Sequence, residues 1–131
     1  MNSRSQAPAK RQKAAACAHA PHPLPESRAP AVVARAAALF RVAGDPARLR
    51  LLEHLATGEY SVSELAAHSA EQLTTLSERL KLLRTAGLVT RRRHGRHVYY
   101  ALADGHITEL IRSALDHATE EGQDAQKGRF T

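Results

Sequence analysis

The chain has little sulfur, with one cysteine (Cys17) and one methionine in 131 residues. A lone thiol cannot close an internal disulfide. That excludes a cystine-stapled scaffold and fits a reducing compartment, the cytoplasm. Long apolar runs are missing too. None approaches the roughly 20 residues a bilayer-spanning helix needs, so no membrane role is expected. No continuous apolar segment near the N-terminus has the form of a secretory signal. No internal repeat is visible. Positive charge, by contrast, is plentiful. Lys and Arg number 19 against 13 Asp and Glu, a net charge of +6. The length is that of one domain. A soluble, basic, single-domain protein of this kind suits a polyanionic partner such as nucleic acid.

The charge is concentrated. Residues 72–98 carry Arg79, Lys81, Arg84, Arg91, Arg92, Arg93 and Arg96 against Glu78 alone, net +6. Residues 1–30 are net +4, residues 31–71 net −1 and residues 99–131 net −3. A charge run by itself usually marks a solvated face. Its place within the fold decides whether it binds anything.

Residues 1–29 combine Ala, Ser, basic residues and prolines without periodicity, and are expected to form a disordered basic tail. A folded domain is expected over 30–122 and a flexible polar tail over 123–131. Within the domain, a first helix should stop at Gly44. Asp45-Pro46 then supplies an N-cap and first-turn proline for a second helix, with Leu49, Leu52, Leu55 and Ala56 as its apolar stripe up to Gly58. Ser61 and Glu64 have capping-box spacing and open a short third helix, with Leu65 and Ala66 facing the core. Leu73, Leu76, Leu80 and Leu83 give a fourth helix over about 72–86 with one buried face, closed by Gly87. The period then changes to two across Leu88-Val89 and Val98, Tyr100 and Leu102, with His94-Gly95 as the hairpin turn. Ile107, Leu110, Ile111, Ala114, Leu115 and Ala118 define a last amphipathic helix. This is a mainly α chain with a small β-hairpin, in the order of a winged helix-turn-helix.

In that fold one helix enters the major groove and its N-terminal half meets base edges. Here the half offers Gln72, Thr74, Thr75, Ser77 and Arg79, with Lys81 one turn on. Gln suits adenine, Arg suits guanine and Thr methyls suit thymine. Arg91, Arg92, Arg93 and Arg96 lie on the hairpin, placed for phosphates, which give affinity without sequence reading. Ordinary surface hydroxyls are the bland alternative for Thr74, Thr75 and Ser77.

Histidine occurs eight times. Asp104, His106, His117 and Glu120 stand out on or beside the last helix, all plausible zinc-ligand types. His106 and His117 fall about 20° from alignment on one helical face, but about 16 Å apart along the axis. One continuous helix therefore cannot hold one ion with both. Two antiparallel copies can, with Asp104 and His106 of one chain meeting His117 and Glu120 of the other, giving two equivalent sites per dimer. The apolar stripe of the same helix would form the interface. Spacing alone is weak support, since surface His and acids usually only solvate.

The sequence resembles the ArsR/SmtB family of bacterial metal-sensing repressors over about residues 34–121. The segments that carry the resemblance are Ser77-Glu78-Arg79-Leu80-Lys81-Leu82-Leu83-Arg84-Thr85-Ala86-Gly87-Leu88-Val89, then Gly95-Arg96-His97-Val98-Tyr99-Tyr100, then Ala114-Leu115-Asp116-His117. The last is similar to the zinc-responsive SmtB-like subgroup. The resemblance implies a homodimer joined through terminal helices. It implies a double-stranded DNA operator, an inverted repeat, bound when metal-free and released by Zn²⁺. It also implies that Asp104, His106, His117 and Glu120 match the interhelical zinc ligands one by one. No enzymatic role and no small-molecule substrate are implied. A zinc hydrolase would need an open coordination position and a general base.

Three departures qualify the resemblance. Glu78 stands where relatives often carry histidine. The usual turn glycine is missing from His68-Ser69-Ala70-Glu71. A second, cysteine-based metal box of the family falls here on Ser61 and Ser63, which removes the sulfur that soft ions prefer. Cys17, His19 and His22 are a weak ancillary metal candidate. Co²⁺ or Ni²⁺ is the nearest alternative to zinc, since a higher-coordinate site could recruit His19 or His22. A winged-helix DNA binder with a non-metal signal is the other alternative.

Overall fold

The computed structural model describes residues 20–129. The elements are α1 (Pro30–Ala43), α2 (Pro46–Leu55), β1 (Tyr60–Ser61), α3 (Val62–Ser69), α4 (Leu73–Thr85), β2 (Val89–His94), β3 (His97–Leu102) and α5 (Gly105–Arg129). Most of the expected N-terminal tail lies outside the described residues. Residues 20–29 are exposed and form neither helix nor strand.

Local chemistry explains where most elements begin and end. Asp45 caps α2, its carboxylate accepting from the Arg48 amide at 3.0 Å, and Pro46 occupies the first turn, where no amide partner is needed. Ser61 and Glu64 close a reciprocal capping box on α3: the Ser61 amide donates to Glu64 at 2.8 Å and the Glu64 amide to Ser61 at 3.2 Å. α4 ends in a Schellman motif. Gly87 takes φ +83°, the Leu88 amide donates to the Leu83 carbonyl at 2.9 Å and the Gly87 amide to the Arg84 carbonyl at 3.0 Å. Glycine reaches that left-handed conformation without steric cost, and the chain turns directly into β2.

The three strands run in the order β1-β3-β2, all antiparallel. β1 was not anticipated. Its two residues pair with the far hairpin strand, Tyr60 opposite Tyr100 and Ser61 opposite Tyr99. The hairpin turn also sits one residue later than expected. His94 pairs with His97, so Gly95 and Arg96 alone make the connection, with Gly95 at φ +66° as a mirrored two-residue turn requires.

The core is almost entirely leucine. Leu51, Leu52 and Leu55 of α2, Leu65 of α3, and Leu76, Leu80 and Leu83 of α4 meet Leu88, Val89 and, from α5, Ile107 and Ile111. Among the described residues no buried side chain is polar. Each fully buried leucine contributes about 1.5–3 kcal/mol by leaving water. Leu73 departs from the expected stripe. It is the first residue of α4 and remains 55% exposed.

Two further expectations change at α5. The helix continues through residue 122 to Arg129 instead of giving way to a loose tail over 123–131. No proline interrupts it, and a glycine such as Gly122 costs a helix only about 1 kcal/mol. Ile107 and Ile111, expected at a dimer interface, are buried in the chain's own core. Arg112 anchors the same helix by donating to the Ala56 carbonyl at 3.0 Å. α1 is the opposite case. It buries no residue fully, and its Val33 and Phe40 are mostly exposed.

Candidate nucleic-acid and metal-binding surfaces

α3 and α4 form the helix-turn-helix. The turn lacks glycine, and Ala70 takes its place in the left-handed region at φ 58°. The inward leucines of α4 fix which residues face out. Gln72, Thr74, Ser77, Glu78 and Lys81 are exposed and Thr75 is half-buried. Arg79 is placed differently from the guanine-reading role expected for it. Its guanidinium pairs with Glu71 in the turn, and its side chain is only 24% exposed. An arginine in that position ties α4 to the segment that precedes it.

The hairpin carries the wing. Strand alternation puts Arg91, opposite Tyr100, and Arg93, opposite Val98, on one face. Arg92, opposite Tyr99, lies on the other face. Arg96 is at the turn. All four are exposed. Arg92 alone among them is engaged in an ion pair among the described residues. Its Nε and one terminal nitrogen donate to the two Glu59 oxygens, both at 2.8 Å, and its guanidinium lies 5.6 Å from the Tyr99 ring centre. These hydrogen bonds hold the Glu59 carboxyl below its ordinary range and raise Arg92 above its own. Sequence reasoning missed Glu59 because it lies 33 residues from Arg92, beyond any helical or strand spacing.

Asp104 caps α5, accepting from the Ile107 amide at 3.0 Å. His106 Nδ1 stands 3.8 Å from the same carboxylate oxygen, and its side chain is 99% exposed. Further along the helix His117 Nε2 is 3.6 Å from Glu121, the acid after the expected partner Glu120. His117, Glu120 and Glu121 are all exposed. α5 is unbroken from Gly105 onward, so the rise of about 16 Å between the two histidines applies. Among the described residues no three His, Cys, Asp or Glu side chains converge to hold an ion. The donors fall into two halves at separate levels of one helix. Two imidazoles and two carboxylates are a suitable zinc set, and each half leaves coordination positions for a second helix. Of the ancillary candidates, Cys17 and His19 lie outside the described residues, and His22 is exposed before α1.

A three-stranded winged sheet beside a helix-turn-helix, with arginines on the wing, defines a DNA-binding regulator. No helix among the described residues is long and apolar enough to cross a membrane. The profile described as "Bacterial regulatory protein, arsR family" matches residues 45–91. A "Transcriptional repressor SmtB homolog" from Synechocystis is 44% identical over 84 residues, 64% of each chain. This chain therefore spans slightly under two thirds of that relative. An "HTH-type transcriptional repressor SmtB" from Mycobacterium tuberculosis is 36% identical over 109 residues, 82% of this chain and 76% of the relative. The solved homodimeric winged helix-turn-helix DNA-binding domain of a possible ArsR-family regulator from Mycobacterium bovis superposes with a TM-score of 0.68. It is 30% identical, covering 76% of this chain and 92% of that one. The chain belongs to the ArsR/SmtB family of bacterial transcriptional regulators, and it is a regulator rather than an enzyme.

Proposed function

We propose that the protein is a homodimeric, metal-responsive transcriptional repressor, bound to an inverted-repeat operator when metal-free and released by Zn²⁺. The observation that carries this reading is the split donor set of α5. Asp104 and His106 stand at one level, His117 and Glu120 at another, exposed and without a completing set of donors among the described residues. A second antiparallel α5 supplies the missing half of each site. The exposed apolar face of α1 and the part of α5 beyond Ile111 leave surface for such a partner.

The residues divide the work. Asp104 and His106 of one protomer and His117 and Glu120 of its partner hold the cation. Gln72, Thr74, Thr75, Ser77 and Lys81 face base edges, and Arg91, Arg93 and Arg96 face phosphates. When bound, the ion would bridge the two helices and fix the relative pose of the two winged domains. If that pose differs from the DNA-bound one, linkage makes the effects reciprocal: operator and metal weaken each other by the same factor. Zinc titration of the purified dimer tests the site. One ion per protomer is expected, with loss of tight binding in His117→Ala and an unchanged dimer mass. Full stoichiometry and affinity in that variant would contradict the assignment.

A further inference from the structure

Four arginines decorate the wing, yet one of them is already occupied. Arg92 presents the edge formed by Nε and a terminal nitrogen to both oxygens of Glu59, each at 2.8 Å. The Tyr99 ring lies against the same guanidinium at 5.6 Å, from the residue directly opposite on β3. A carboxylate ahead of β1 and an aromatic ring on β3 thus hold the fork from two sides. The pair is open to water, with the Arg92 side chain 55% exposed and that of Glu59 34% exposed. Arg91, Arg93 and Arg96 have no such acid partner among the described residues.

The edge of arginine that grips a carboxylate is the edge that grips a phosphate, with the same two parallel N–H donors. We propose that Glu59 is a resident competitor in a DNA-phosphate site of the wing, keeping the Arg92 fork oriented and leaving it when a backbone phosphate arrives. This rests on the wing being a DNA contact. Exposed ion pairs are individually weak and exchange readily, as displacement requires, whereas a buried pair would resist it. Phosphate contacts carry no sequence information. Glu59 therefore lowers affinity for all duplexes alike and holds down occupancy of non-operator DNA. The rival arrangement has Glu59 staying on Arg92 as a strut that props the wing. It predicts the opposite sign on removal.

The test needs no operator, because phosphate contacts supply non-specific binding. The full chain is titrated onto a labelled mixed-sequence duplex at low salt and followed by fluorescence anisotropy. Glu59→Gln should bind about 3- to 10-fold tighter, the scale of one weak exposed pair lost from each of two wings. Arg92→Ala should bind more weakly. In the double variant most of the Glu59→Gln gain should vanish, because the competitor acts through Arg92. Unchanged or weaker binding by Glu59→Gln overturns the proposal in favour of a strut. An equal gain with and without Arg92 also overturns it, reducing Glu59 to a plain negative charge. A wild-type protein that ignores the duplex at low salt is a separate result and overturns the DNA-binding reading itself.

Discussion

Replacing Ala70 with glycine should stabilise the protein. Ala70 is the one non-glycine residue with positive φ among the described residues, at φ 58° and ψ 23°. It ends α3 by donating its amide to the Ala66 carbonyl at 3.0 Å, and it is exposed, so its methyl group is not part of the core. An L-residue in this region bears a steric cost of about 1–2 kcal/mol. Glycine removes that cost but adds chain freedom to the unfolded state, worth about 0.5–1 kcal/mol. The difference spans about 0–1.5 kcal/mol, with a central gain of about 0.75 kcal/mol. For a domain of this size that raises Tm by about 3–6 °C. Thermal unfolding should be compared at one protein concentration, since the proposed dimerisation would make Tm concentration-dependent. Ala70→Val should fall well below wild type, because a β-branched residue is a true outlier there. A neutral or destabilising Ala70→Gly would show that the turn between the two DNA-binding helices is not strained, and the reasoning would fail.

Other outcomes follow from the same structure. Leu80 is fully buried at the centre of the leucine core. Leu80→Ala should cost about 2.5–5 kcal/mol, a large share of a typical domain's stability, read as a lower urea midpoint. The Glu59 carboxyl, titrated by NMR, should have its midpoint below its ordinary 4.5. Because the folded value is the depressed one, the pair's stabilisation is present above the unfolded pKa and is lost as pH falls through the folded value. Arg92→Ala should return that midpoint toward the ordinary value, and no movement would contradict the cause assigned to it.

Much of this was written into short stretches of sequence. Asp45-Pro46, the Ser61/Glu64 box and Gly87 are local devices whose partners lie within a few residues, and each forms the cap its spacing predicts. The alternation around Val98, Tyr100 and Leu102 likewise becomes β3. What was hidden depends on distant partners. β1 is two residues long, too short for any period, and exists only because β3 passes beside it. Leu73 continues the leucine stripe in sequence but lies beyond the end of the core in space. Arg79 and Arg92 look like free cations in a basic run. Their acids, Glu71 and Glu59, are brought to them by the fold. For the metal donors, spacing along a helix identifies which residues share a level. All four proposed donors are visible in the sequence, but their convergence is not, because among the described residues no three His, Cys, Asp or Glu side chains come together.

In the proposed mechanism metal and DNA oppose each other through α5. The most direct measurement is the affinity of the dimer for its operator, with zinc and with excess chelator, for wild type and His117→Ala. Tight binding is expected with chelator, with a zinc-induced loss of about 5- to 150-fold or more, the range of typical allosteric coupling. His117→Ala should bind equally well with and without zinc. Wild-type affinity indifferent to zinc, or a His117→Ala protein still released by it, would contradict the claim.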